Sequence, residues 1–166
     1  GSEMCIRDSF NAPLMAKFNH LGEAQSIRGL AQYTEEIRER FVNLAISYNI
    51  NIITGSMPLL KEDGALYNVG YLIRRDGSYE MYEKLHVTPD EQKSWGLSGG
   101  KMVKTFDTDC ARIGVLICYD VEFPELSRIM ADQGMQILFV PFLTDTQNGY
   151  SRVRVCAQAR AIENEC

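Results

Sequence analysis

The chain has 166 residues, 45% hydrophobic and 23% charged, the balance of an ordinary globular domain and enough length to bury a core. A net charge of −5 with acids and bases interleaved disfavours a nucleic-acid partner, and no apolar run approaches the roughly 20 residues that cross a bilayer. Five cysteines at wide spacing with no CxxC, and histidines only at positions 20 and 86, argue against a disulfide framework or a structural metal site.

In chain order, residues 1–9 (GSEMCIRDS) show neither helical nor strand periodicity. They read as a foreign leader without a signal-peptide core, so the domain is expected over residues 10–166 and in the cytoplasm. Thr34 followed by Glu35 and Glu36 predicts a helix start, with acids at the positive end of the dipole. Ile37, Phe41, Leu44, Ala45 and Tyr48 recur at helical spacing as one expected buried face, and Asn49 is the expected stop. Residues 50–54 predict a buried strand. Residues 66–74 and 78–84 predict a hairpin around Arg75-Asp76-Gly77, because Asp-Gly suits a tight turn. A loop over residues 86–101, with Pro89, Gly96, Gly99 and Gly100, leads to expected strands at 102–106 and 112–117. Pro124 opens a helix that Gly134 closes, residues 136–142 predict a strand, and a helix is expected over about 150–165. Strands interleaved with helices imply a sheet covered by helices.

The informative stretch is Arg112-Ile-Gly-Val-Leu-Ile-Cys-Tyr-Asp-Val-Glu-Phe-Pro-Glu125. An apolar strand runs straight into Cys118, and a proline-started helix follows within six residues. Such a strand-to-helix turn exposes a nucleophile and leaves backbone N–H groups free for an oxyanion. Taken alone, a strand cysteine is more often a small core hydrophobe.

Three segments weigh against that bland reading: Tyr82-Glu-Lys-Leu-His86, Gly114-Val-Leu-Ile-Cys-Tyr-Asp-Val-Glu-Phe-Pro-Glu-Leu-Ser-Arg128 and Gln158-Ala-Arg-Ala-Ile-Glu-Asn164. In order and separation they resemble the nitrilase, or carbon-nitrogen hydrolase, superfamily. The resemblance implies an α/β fold, a four-layer α-β-β-α sandwich that would be truncated here at both ends. It implies Cys118 as nucleophile, Lys84 as the cation that stabilises the oxyanion, and Glu91 as a second acidic group beside the site. Tyr119, Glu122 and Phe123 would shape the substrate pocket, with the Tyr119 N–H as an oxyanion donor. The family's general base is a glutamate in a Pro-Glu pair ending the first strand. Arg7-Asp8-Ser9 stands in that place with no apolar strand before it, so activity is expected to be impaired.

The implied reaction hydrolyses a small linear amide or N-carbamoyl compound through a cysteine thioester, without metal or organic cofactor. The implied partner is that small amide, with neither nucleic acid nor membrane, and the parent enzyme would be a homo-oligomer. The alternative is a non-catalytic interaction or sensing fragment of the same fold. Nucleotide binding at Gly96-Leu-Ser-Gly-Gly-Lys101 is disfavoured, because its spacing fails the phosphate-loop pattern and Met102 stands where a hydroxyl is needed.

Overall fold

The computed structural model of the chain describes residues 3–5 and 8–166. The leader expected over residues 1–9 therefore lies partly outside the described residues. Within it, Glu3–Cys5 forms β1, where the sequence shows no periodicity. A strand thus precedes Asp8 after all. Its partner is β2 (Asn51–Ile53), which runs parallel to it in the register Glu3 with Asn51 and Cys5 with Ile53.

A 3-10 turn (Ala12–Phe18) and the helices α1 (Glu23–Ala31) and α2 (Thr34–Tyr48) separate these strands. The start of α2 agrees with the sequence, but Thr34 does not cap it. Its buried hydroxyl donates to the Pro58 carbonyl at 2.6 Å, tying the helix to the sheet. Asn49 ends α2 in a left-handed conformation, as expected of a stop. Ala45, Ile37 and Phe41 face the sheet, whereas Leu44 (42% exposed) and Tyr48 (69% exposed) do not. The buried stripe is narrower than the apolar pattern, since Leu44 lies on its flank and Tyr48 in the last turn.

β3 (Met57–Leu60) and β4 (Leu66–Ile73) pair antiparallel, and β4 pairs antiparallel with β5 (Tyr79–Glu83) around the predicted Asp-Gly turn. All eight residues of β4 are buried, which is why it reads as a continuous apolar run rather than an alternation. At Gly70 a side chain is excluded: a Cβ would lie 2.2 Å from the Gly55 carbonyl oxygen and 2.4 Å from the Tyr82 ring. The expected loop at 86–101 is only partly a loop. It holds a π-helical turn (Glu91–Trp95) and the short β6 (Leu97–Ser98), which pairs parallel with β4.

The second sheet is smaller. β7 is Phe106–Asp107 rather than the longer strand expected at 102–106, and it pairs antiparallel with β8 (Arg112–Val115). After a 3-10 turn (Cys118–Glu122) and α3 (Pro124–Asp132), β9 (Ile137–Phe139) lies parallel to β8. α4 (Gln147–Asn164) follows.

Period-two alternation decides which side each residue serves. Ile113, Val115 and Ile117 point inward onto Ile53, Leu72, Tyr82 and Phe106, making the core between the sheets. Leu116 points outward onto Leu126, Met130 and Met135 of the α3 side. Ala45 of α2 packs on the outer face of the first sheet, against Ile52, Met57, Val69 and Ile73. Helices therefore cover both outer faces of two stacked sheets, the α-β-β-α order that was expected. Each fully buried Leu, Ile or Val contributes about 1.5–3 kcal/mol to this arrangement. No helix among the described residues is long and apolar enough to cross a membrane.

Candidate active site

The β8 ladder ends at Val115, and two residues later the chain must reverse into the 3-10 turn. Cys118 makes that reversal with φ +50°, the left-handed region that non-glycine residues rarely adopt. Its N–H donates to the Pro141 carbonyl at 2.9 Å, which fixes the strained residue to the segment after β9. The thiol is half-buried and 3.9 Å from the Leu143 carbonyl oxygen. A strained residue at the end of a strand is where a nucleophile is most accessible.

Lys84 comes from the other sheet. It follows β5, its N–H donates to the Asn68 carbonyl at 2.9 Å, and it is 1% exposed. Both oxygens of Glu91 accept from its ammonium, at 2.6 and 2.8 Å. Glu91 is held in turn by the Thr88 N–H at 2.7 Å, while its own N–H donates to the Thr88 hydroxyl at 3.3 Å. Burial works against the charge on Lys84, but Glu91 and then Asp8 outweigh it and hold its pKa above the ordinary lysine value. An ammonium fixed in a buried site is well suited to a developing oxyanion.

Asp8 completes the cluster from just beyond β1. It is 4% exposed and accepts hydrogen bonds from the Ser56 hydroxyl and, at 3.2 Å, from the Ser9 hydroxyl. Burial raises its pKa above the ordinary carboxylate value, opposed by Lys84 and Ser56 and assisted by Glu91. The Cys118 thiol is also pushed up, first by burial and then by the Asp8 charge, while Lys84 pulls it down. The cluster therefore favours a neutral thiol, within electrostatic reach of the Asp8 carboxyl.

Lys84 and Glu91 are thus in direct contact, and Cys118 lies within their electrostatic reach. Asp8, read as a poor substitute in a foreign leader, joins them in the buried cluster, and Ser56 was not foreseen. Glu122 is paired with Arg152 of α4 at 2.7 Å, tying the nucleophile turn to that helix. Tyr119 meets Phe123 edge-on at 5.1 Å, and Phe123 stacks on His86 at 3.7 Å, making an aromatic wall beside the turn. Asp120 is the other group the sequence reading left aside. It lies 1% exposed within the Cys118 turn, and its carboxylate accepts from the Leu85 and His86 N–H groups just after Lys84.

A half-buried thiol, a buried ammonium and buried carboxylates thus gather where the two helix-covered sheets meet. The profile of the carbon-nitrogen hydrolase family matches residues 10–166, and the chain belongs to that family. It is 49% identical over 156 residues to the probable hydrolase YhcX of Bacillus subtilis (strain 168), covering 94% of this chain and 30% of that one. It is 32% identical over 173 residues to the human omega-amidase NIT2, covering 96% of this chain and 58% of NIT2. The crystal structure of a carbon-nitrogen hydrolase from Helicobacter pylori G27 superposes with a TM-score of 0.83 at 22% identity, covering 98% of this chain and 58% of that one. The chain therefore spans between about a third and three fifths of the length of these proteins.

Proposed function

We propose that this chain carries the reactive centre of a cysteine-dependent amidase acting on small linear amides, ω-amides or N-carbamoyl compounds. The observation that supports it most is Cys118 in a left-handed turn at the end of β8, within the electrostatic reach of Lys84 and Asp8. The similarity to an omega-amidase favours an amide over a nitrile.

In the proposed reaction the Asp8 carboxylate takes the Cys118 proton as sulfur attacks the amide carbon. The carbonyl π electrons move to oxygen, and Lys84 with the Tyr119 N–H holds the resulting oxyanion. As the carbon–nitrogen bond breaks, the nitrogen takes the proton from Asp8 and leaves as ammonia or amine. Water then gives a proton to Asp8 and attacks the thioester, and the proton returns to sulfur as the carboxylic acid departs. Glu91 keeps Lys84 charged and aimed. Tyr119, Phe123 and Glu122 form the pocket wall. Asp8 is one methylene shorter than a glutamate, so turnover is proposed to be slow, since general-base assistance is typically worth about 10²–10⁴ in rate and depends on reach.

Two measurements test this reading: ammonia release from glutaramate, succinamate and short aliphatic amides, and iodoacetamide labelling followed by peptide mass spectrometry. Cys118→Ala should abolish turnover and the protein's dominant label. Equal labelling of both proteins, with no ammonia from any amide, would remove the activated cysteine.

A further inference from the structure

Asp120 is among the most deeply buried carboxylates of the site, while the charged groups that act most strongly on the Cys118 thiol are Asp8, Lys84 and Glu91. It bonds to the main chain of two segments, one after Lys84 and one before Cys118. Its oxygens accept from the Leu85 N–H at 3.1 Å, from the His86 N–H at 2.7 Å and, more weakly, from the Ile117 N–H at 3.4 Å. Leu85 is the residue after Lys84, and Ile117 is the residue before Cys118. The same carboxylate lies 3.1 Å from Nδ1 of His86, whose ring is stacked on Phe123.

A carboxylate that only capped its own turn would need the Ile117 N–H and nothing more. The two shorter backbone bonds reach the end of β5, in the other sheet, and local turn formation does not account for them. They are charge-assisted, a class roughly twice as strong as neutral hydrogen bonds.

We propose that Asp120 is a positioning residue, whose carboxylate sets the separation between the Lys84 ammonium and the Cys118 thiol by gripping the backbone next to each. The proposal rests on Cys118 being the thiol that Lys84 activates. It matters because displacements of about 1 Å in a reacting constellation can cost on the order of 10²-fold in rate.

The sign of one measurement separates position from charge. The charged groups that bear most strongly on Cys118 are Asp8, Lys84 and Glu91. If Asp120 acted directly as a negative charge, Asp120→Asn would make the thiol ionise at lower pH. If it acts by holding Lys84 close, the substitution weakens the pull of Lys84 and the thiol ionises at higher pH. Nearby opposite charge moves such groups by about one to three pH units, so even partial loss should slow alkylation near pH 8 by roughly threefold to tenfold.

The experiment follows iodoacetamide alkylation of Cys118 in the whole chain from pH 6 to 10, read by peptide mass spectrometry, with circular dichroism to verify folding. The expected result for Asp120→Asn is an upward move of the alkylation midpoint in folded protein. An unchanged or lowered midpoint overturns the proposal. If Asp120→Asn does not fold, Asp120→Glu decides, because it keeps the charge but its longer side chain cannot keep the bonds to the Leu85, His86 and Ile117 N–H groups at their present lengths. It should also move the alkylation midpoint upward, and an unaltered profile overturns the proposal. Lys84→Met serves as the reference. If it leaves the Cys118 profile in place, the Cys118–Lys84 reading itself falls, and Asp120 has nothing to position.

Discussion

Replacing Asp8 by Asn should make the protein more stable and less active at once. The buried cluster holds two carboxylates, Asp8 and Glu91, against one ammonium, Lys84, and Glu91 already takes that ammonium with both oxygens. Asp8 is therefore the surplus charge. Its folded-state pKa is raised, so its contribution to stability is present below the unfolded carboxylate value and is lost as pH rises through the folded value. At neutral and alkaline pH the folded state carries the cost of that buried anion, and asparagine removes it. Leaving a buried polar group badly served costs about 1–3 kcal/mol, and each kcal/mol moves Tm by about 2–4 °C at this chain length. Asp8→Asn should raise Tm by roughly 2–12 °C at pH 8, with a smaller gain near pH 4, toward which the wild-type carboxyl takes up its proton. Ammonia release should fall by about 10²–10⁴. Asp8→Glu should move the other way in activity, because the longer side chain brings the carboxylate nearer the thiol. Thermal melts at both pH values and an amide-hydrolysis assay check the pair. A lower Tm for Asp8→Asn at pH 8, or an equal gain at both pH values, would refute the surplus-charge reasoning.

Lys84→Met should be severely destabilising, since it strands two buried carboxylates. Breaking a buried pair in this way costs about 3–5 kcal/mol, readable in urea unfolding. Gly70→Ala should cost about 1–3 kcal/mol or more, because the added methyl meets the Gly55 carbonyl and the Tyr82 ring, and urea midpoints would show it. Cys118→Gly should be more stable than Cys118→Ala by about 1–2 kcal/mol, since only glycine adopts the left-handed turn without strain. Equal melting of those two variants would mean that the turn relaxes when the thiol is lost.

Much of this architecture is legible in the sequence, and what escaped did so for identifiable reasons. The β4–β5 hairpin was readable because Asp76-Gly77 marks its turn between two apolar runs. The Cys118 turn was readable because strand, nucleophile and helix-opening Pro124 are contiguous. β1 was missed because three residues are too few to show a period, and its strand character depends on the pairing with β2. α1 was missed because Glu23–Ala31 starts after glycine without a capping side chain and includes Gly29. The bond from Ser56 to Asp8 joins residues 48 positions apart, which no local pattern encodes. Asp120 offered a fainter signal: an acidic residue inside a turn commonly finds backbone N–H donors, but its bonds to Leu85 and His86 span 35 and 34 positions, which no local pattern encodes.

Cys118 follows β8 of one sheet and Lys84 follows β5 of the other, and this gives the apolar packing between those sheets a second duty. Phe106, Ile113, Val115, Leu72 and Tyr82 are the spacer that fixes the gap across which the two groups face each other. In most proteins a methyl lost from the core is felt only as stability. Here the same loss would let the sheets settle closer and change the working distance of the chemistry. The interior of the sandwich is in this sense a gauge block for the candidate site, and a truncation at Phe106 would shift Cys118 relative to Lys84 while leaving every polar group around them in place.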